Sequence, residues 1–334
     1  MDQESHSNFS GDYSDIVRGA IRAASELVTN VRQHVQRDAQ IMGGHFSVTV
    51  VEADSSLADE VIDYLHGLEA LWSRFLPTSE VSHLNNSPGV PVQVSPETLT
   101  LVQLLIDGFR LTNGLFDPTT LPLTLANGYS SSHVDPTRTT VLPESATWPG
   151  DIESIVINDV THTVTLPLGT TLDPGGLGKG LAADLAVELA MSRGAHGALV
   201  SANGDVRASG VSPDGRSWRI GVEHPLEKHL EIAQVHISDG AVVTSSQMTN
   251  RWKTDAGDTH HIIDTKTGTS AKTEVLSATV VSAQAALGEV LAKLAFLLPI
   301  EDAVAMIAAN GSQVCVVDAK MMMHTSAGWN EYLA

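Results

Sequence analysis

The residues best suited by type and spacing to do chemistry gather in one stretch, Leu172-Asp173-Pro174-Gly175-Gly176-Leu177-Gly178-Lys179-Gly180. Four glycines in six positions let the backbone come close to a bulky anion and permit turns that a Cβ would resist. Thr163-Val164-Thr165-Leu166 before the loop alternates like a strand. After it, Leu181, Leu185 and Leu189 recur every four residues, alanines lie beside them, and Gly194 supplies a stop. A strand, a glycine loop and a helix N-terminus make a phosphate site, because unpaired N–H groups and the helix dipole both favour negative charge. On the residues alone, a tight structural turn explains the loop equally well.

Two nucleotide loops are excluded. A P-loop needs glycine five residues before the Gly of Gly-Lys and Ser or Thr after the lysine. Those positions are Asp173 and Gly180. A G-x-G-x-x-G fingerprint would need glycine at Leu181 or Ala183.

Other chemistry-bearing groups are scattered. Asp117 precedes Pro118 and follows Phe116, which suits a ligand contact or a capped turn. His261 follows His260, as a neutral base or a surface histidine. Asp205 sits in Asn203-Gly204-Asp205, where fixing a loop is its simpler role.

The elements that must position these groups follow from pattern. Residues 1–13 read as a disordered tail, and Asp15 to about Gln36 as a helix. Phe46–Val50 reads as a strand. Leu57, Val61, Leu65, Leu68, Trp72 and Phe75 step by three and four into a helix that Pro77 ends. Ser79–Asn86 reads as a polar loop, and Ser95-Pro96 as the cap and first turn of another helix. Residues 124–150, rich in Ser, Thr, Pro and Gly, read as an exposed excursion. Ile152–Ile157 and Thr163–Leu166 suggest a hairpin, Ala285–Leu298 one helix, and Val314–Val317 a late strand. Strands outnumber crossover helices, so an α+β arrangement of mixed, largely antiparallel sheets with packed helices fits better than a doubly wound fold.

The chain has 334 residues, with Lys plus Arg 19, Asp plus Glu 39 and a formal net charge of −20. That charge argues against nucleic acid and anionic membrane as partners. It also obliges an anion site to supply its own positive potential. A single cysteine, Cys315, excludes an internal disulfide and a cysteine-rich metal site. Met1–Tyr13 carries no apolar core of a signal peptide, so the expected location is cytoplasmic.

Six segments in register carry a resemblance. They are Met42-Gly43, Phe75 with Ser79–Asn85, Gly114–Thr119, Asp173–Gly180, Asn203–Arg207 and His261–Gly268. Together, over about residues 40 to 318, they resemble the ApbE family, whose members are FAD:protein FMN transferases and some of whose relatives hydrolyse FAD to FMN and AMP. The resemblance implies a T-fold-related, two-lobed domain over 39–334 after an N-terminal tail and helix over 1–38, with FAD in a cleft between the lobes. Met42, Phe75, Leu115, Phe116 and Asp117 then line the flavin and adenine pockets. Asp173, Gly175, Gly176 and Lys179 meet the diphosphate, and Asn85, Ile262 and Ile263 join the FAD contacts. His261 is the implied base, with Asp264 and Lys293 beside it as catalytic positions. The implied partner is an acceptor flavoprotein presenting a Thr or Ser.

The family's magnesium site is altered. Aligning Ala278–Phe296 puts Glu289 at the usual Asp position and Lys293 at the usual Thr, with the Gly176 carbonyl as third ligand. A protonated lysine cannot ligate Mg²⁺. Either its ammonium takes the metal's place and the enzyme works without Mg²⁺ or with a weakened Mg²⁺ site, or the metal function is lost and the chain carries FAD without transferring FMN. FAD pyrophosphatase is a third reading. A Glu289–Lys293 surface salt bridge is the duller account of the pair.

Overall fold

A computed structural model describes residues 31–132, 135–249, 251–254 and 257–333. The expected tail over 1–13, and most of the helix expected from Asp15, lie outside them. The end of that helix is corrected: His34–Ile41 is strand β1, paired antiparallel with β2 (Gly44–Val51). Its side chains alternate exposed and half-buried, a period of two rather than 3.6.

The class is α+β. The small pieces come first: β3 (Val92–Gln93), β4 (Val156–Asn158) and β5 (Thr163–Thr165) form a three-stranded sheet. The main sheet adds β6 (Gly197–Ala202), β7 (Asp205–Gly210), β10 (Asp239–Ser246), β15 (Val275–Ser282), β16 (Gln313–Asp318) and β17 (Met323–Thr325). Its order is β1-β2-β6-β7-β10-β15-β16-β17, antiparallel at every step. Three hairpins stand apart: β8 (Trp218–Glu223) with β9 (Glu231–Ile237), β11 (Arg251–Thr254) with β12 (Gly257–His260), and β13 (Ile263–Asp264) with β14 (Thr269–Ser270).

Strand alternation decides which layer covers which face. Phe46, Val48, Val50, Ala198 and Val200 face helices α1 (Leu57–Trp72), α3 (Pro96–Leu111) and α5 (Gly178–Ser192). Val280, Val314 and Val316 face α6 (Ala285–Ala292), α7 (Leu294–Leu297) and α8 (Ile300–Ala309). Their odd-numbered neighbours Val281, Cys315 and Val317 face the β8–β9 hairpin and Trp329. Cys315 is a small buried core residue whose thiol burial pushes up to about 11.

Two further expectations are corrected. Ser79–Asn86 contains a helix, α2 (Glu80–Asn85), because the Ser79 Oγ accepts from Ser82 N and caps it. The helix expected over Ala285–Leu298 divides at Lys293. Residues 124–150 do not simply run over the surface: Thr124 and Thr140 are buried, and helix α4 (Leu121–Ala126) leads in.

Candidate active site

Two hairpin tips meet at the mouth of a cleft. Pairing of Ile41 with Gly44 leaves Met42 and Gly43 as a two-residue turn, both at positive φ (51° and 76°). Pairing of Ala202 with Asp205 leaves Asn203 and Gly204 the same way (56° and 100°). A Cβ on Gly44 would stand 2.8 Å from the Asn203 side chain, so the tips abut. The Glu69 carboxylate accepts from Met42 N at 2.8 Å and fixes the strained methionine.

The glycine loop forms one end of the cleft. Asn85 clamps Leu172 through both main-chain groups, donating to its O at 2.9 Å and accepting from its N at 2.7 Å. The Asp173 Oδ1 then accepts from Gly175 N at 2.9 Å, tightening the turn before α5. Helix α6 meets α5 at Gly180, where a Cβ would come 2.6 Å from the Ala285 backbone. The two oxygens of Asp184 on α5 accept from Ala285 N and Ala286 N at 2.8 and 2.9 Å. A carboxylate from one helix therefore caps the other and sets the direction of Glu289 and Lys293.

A compact charge cluster results. Glu289, 3% exposed, accepts from Lys179 Nζ at 3.0 Å and from Gly180 N at 2.9 Å. The ammonium of Lys293 donates to Gly176 O at 2.7 Å and to Glu289 O at 2.8 Å. The duller account of the pair, a Glu289–Lys293 surface salt bridge, does not apply: the carboxylate is buried and turned to Lys179. Glu289 raises the Lys179 pKa above that of an ordinary lysine. Burial lowers Lys293 to about 8 despite Glu289 nearby. Burial alone would push Glu289 up, but Lys179, Lys293 and Gly180 N–H outweigh it and hold the carboxyl low. Asp205, which accepts from Thr244 N at 3.0 Å, goes the other way, to about 7, through burial and the Glu289 charge.

The other end is aromatic. Arg74, its side chain 6% exposed, lies 4.3 Å from the Phe75 ring centroid and 4.7 Å from that of Tyr129. It donates to Thr140 Oγ1 at 2.8 Å and to Tyr129 O at 3.2 Å, and its Nε is 3.7 Å from the Asp173 carboxylate. Tyr129 packs 5.4 Å from Trp252. Arg74 therefore joins the aromatic wall to the loop.

The cleft holds about 890 Å³, towards the top of the roughly 300–1,000 Å³ usual for small-molecule sites. Met42, Phe75, Leu115, Phe116, Asp117, Asp173, Gly175, Gly176, Lys179, His261, Ile262, Ile263, Glu289 and Lys293 all line it. Two expected site residues do not. Asn85 is buried behind the loop, and Asp264 turns its Oδ1 to Lys266 N at 2.8 Å to shape the β13–β14 turn. Asp117 lines the cleft and also caps a turn, its Oδ1 accepting from Thr119 N and Oγ1 at 2.8 and 2.7 Å. His260 is buried; its Nε2 lies 3.0 Å from Ala271 O and its Nδ1 3.3 Å from Ile262 N, which fits a neutral ring. Burial lowers its pKa accordingly. It holds the segment that presents His261. Arg74, Tyr129 and Trp252 escaped sequence reasoning, since no spacing links them.

The residues present do not fit Mg²⁺. That ion demands near-octahedral oxygen ligands at about 2.0–2.1 Å. Here an ammonium occupies the approach to Gly176 O, and the Glu289 carboxylate is committed to Lys179 and Gly180. Among the described residues no group of three or more His, Cys, Asp or Glu could hold a metal.

The fold and the cleft combine a glycine loop, two lysines and a buried carboxylate beside an aromatic wall. The family model described as "ApbE family" matches residues 42–317, and the chain belongs to the ApbE family. It is 27% identical over 310 residues to the FAD:protein FMN transferase of Vibrio cholerae, covering 90% of each chain. It is 33% identical over 156 residues to the FAD:protein FMN transferase of Treponema pallidum, covering 44% of this chain and 43% of that one. The crystal structure of the ApbE protein of Thermotoga maritima superposes with a TM-score of 0.79 at 24% identity, over 90% of this chain and 100% of the other. The flavin transferase ApbE of V. cholerae gives 0.74 at 22% identity, over the same shares. Among the described residues no helix is long and apolar enough to cross a membrane.

Proposed function

We propose that this chain is an FAD:protein FMN transferase. It would move FMN from FAD to a Thr or Ser hydroxyl of an acceptor flavoprotein, with release of AMP. The observation that carries the reading is one cleft with a glycine cradle and two lysines at one end and an aromatic wall at the other. A flavin dinucleotide needs both: flat apolar surfaces for its rings and local positive charge for its diphosphate.

In this reading the diphosphate lies over Gly175 and Gly176 beside Lys293 and Lys179. Met42, Phe75, Leu115 and Phe116 hold the rings. Asp117 and the Ile262–Ile263 backbone orient the flavin. The acceptor hydroxyl enters beside His261, which takes its proton as the oxygen attacks the FMN-side phosphorus. A P–O bond forms to the acceptor, the bond to the AMP oxygen breaks, and AMP leaves with the electron pair. Positioning and charge neutralisation then supply most of the rate.

The test is co-expression with a flavoprotein acceptor, followed by intact mass spectrometry and an assay for AMP. Gain of one FMN per acceptor with stoichiometric AMP is expected, and loss of both in His261→Ala. AMP with free FMN and an unmodified acceptor would make the chain a pyrophosphatase. Bound FAD with no AMP would make it a carrier.

A further inference from the structure

We propose that the Lys293 ammonium is a built-in counter-cation. In this account the chain binds the diphosphate of its dinucleotide without a divalent metal.

Three observations carry the inference. An ammonium has three donors. Gly176 O takes one at 2.7 Å and Glu289 O another at 2.8 Å, both main-chain acceptors, one in the glycine loop and one on α6. The third is left for an oxygen in the cleft that Lys293 lines. The position is also fixed rather than reached for. A Cβ on Gly176 would come 3.1 Å from Lys293 Cε and 2.9 Å from Phe116, so a larger residue there would push against the stem and the ring. The Phe116 ring centroid is 5.9 Å from Nζ, on the apolar side. Finally, the buried Glu289 carboxylate takes its side-chain partner from Lys179, so the Lys293 ammonium bonds main-chain oxygens, although Glu289, Asp205 and Asp173 all face it. A chain of net charge −20 that draws in an anion needs such a local cation.

A lysine at a helix end can also serve only to satisfy carbonyls. The two roles separate experimentally. A capping lysine changes stability and leaves ligand affinity alone; a counter-cation changes affinity and metal dependence.

The proposal rests on the cleft taking FAD, and the experiment keeps the two apart. FAD is titrated into the full chain by fluorescence and calorimetry, once with excess EDTA and once with millimolar Mg²⁺. Wild-type Kd is expected to agree within about twofold between the two conditions. Lys293→Met is expected to weaken FAD about tenfold to a hundredfold in both, the loss of one charge-assisted hydrogen bond, with an unfolding midpoint close to wild type. The double variant E289D/K293T is expected to make binding depend on Mg²⁺. A tenfold or greater loss of wild-type affinity in EDTA overturns the proposal, and so does wild-type affinity in Lys293→Met. If FAD binds under no condition, the transferase reading falls. Inorganic pyrophosphate in EDTA then decides: binding by wild type and not by Lys293→Met supports the counter-cation, and any other pattern overturns it.

Discussion

The two ends of the cleft are built by different means. At the anion end, two helix N-termini, a glycine loop and a carboxylate cap lock backbone against backbone. At the aromatic end, Arg74-Phe75, Tyr129 and Trp252 come from three segments and meet chiefly through side chains, with one bond from Arg74 to the Tyr129 carbonyl. The contrast separates two uses of a residue. The Glu289 and Asp184 carboxylates at the first end join the two helices and so hold the fold as well as the site, and changes to these contacts should damage both. Rings at the second end can vary while the fold persists.

The sharpest break should come from Glu289→Ala. It strands Lys179 without its carboxylate and leaves the buried Gly180 N–H without its acceptor, which costs about 3–5 kcal/mol. Denaturant unfolding should show that loss, and FAD affinity should fall with it. Gly180→Ala should follow, at about 1–3 kcal/mol, because its methyl must displace the Ala285 backbone and with it α6. Melting together with FAD titration checks that both fall again. At the other end, Tyr129→Leu removes one ring from the Arg74 and Trp252 contacts. FAD affinity should drop about tenfold, about 1.4 kcal/mol, with little change in the unfolding midpoint. A stability loss matching that of Gly180→Ala would erase the distinction between the ends.

The smallest effect concerns pH. Lys293 sits at about 8, lowered by burial, and faces Glu289, Lys179, Asp205 and Asp173. Asp205 sits at about 7. Raising pH through 7 adds a negative charge at Asp205, and raising it through 8 removes a positive one at Lys293. Both act against an anion. A bound diphosphate favours the charged lysine, so binding takes up protons in this window. FAD Kd should therefore be lowest below pH 7 and rise severalfold by pH 9, with the rise flattened in Lys293→Met.

Much of the anion end was legible in the sequence. Glycine spacing and four-residue leucine steps in 172–194 are local signals, and they gave the loop, the helix and Lys179. Lys293 and Glu289 could be placed together because residues four apart share a helix face. Which lysine the carboxylate would choose was not legible, because it depends on how α5 packs on α6. The resemblance makes Asn85 a ligand contact and Asp264 a catalytic position. Each is a polar side chain in a loop-rich segment, and only the fold shows that backbone groups claim them. The aromatic end stayed hidden for the complementary reason. Tyr129 lies in a stretch whose Ser, Thr, Pro and Gly content signals an exposed loop, and its partners are 55 and 123 residues away, at Arg74 and Trp252.

The most direct test of the Lys293 assignment is a crystal structure of the FAD complex grown with Mn²⁺ and phased for its anomalous signal. The account predicts no anomalous peak between Gly176 O and the α6 residue Glu289, with the Lys293 ammonium there and within hydrogen-bond distance of a diphosphate oxygen. A manganese ion at that point, with Lys293 swung away, would contradict it.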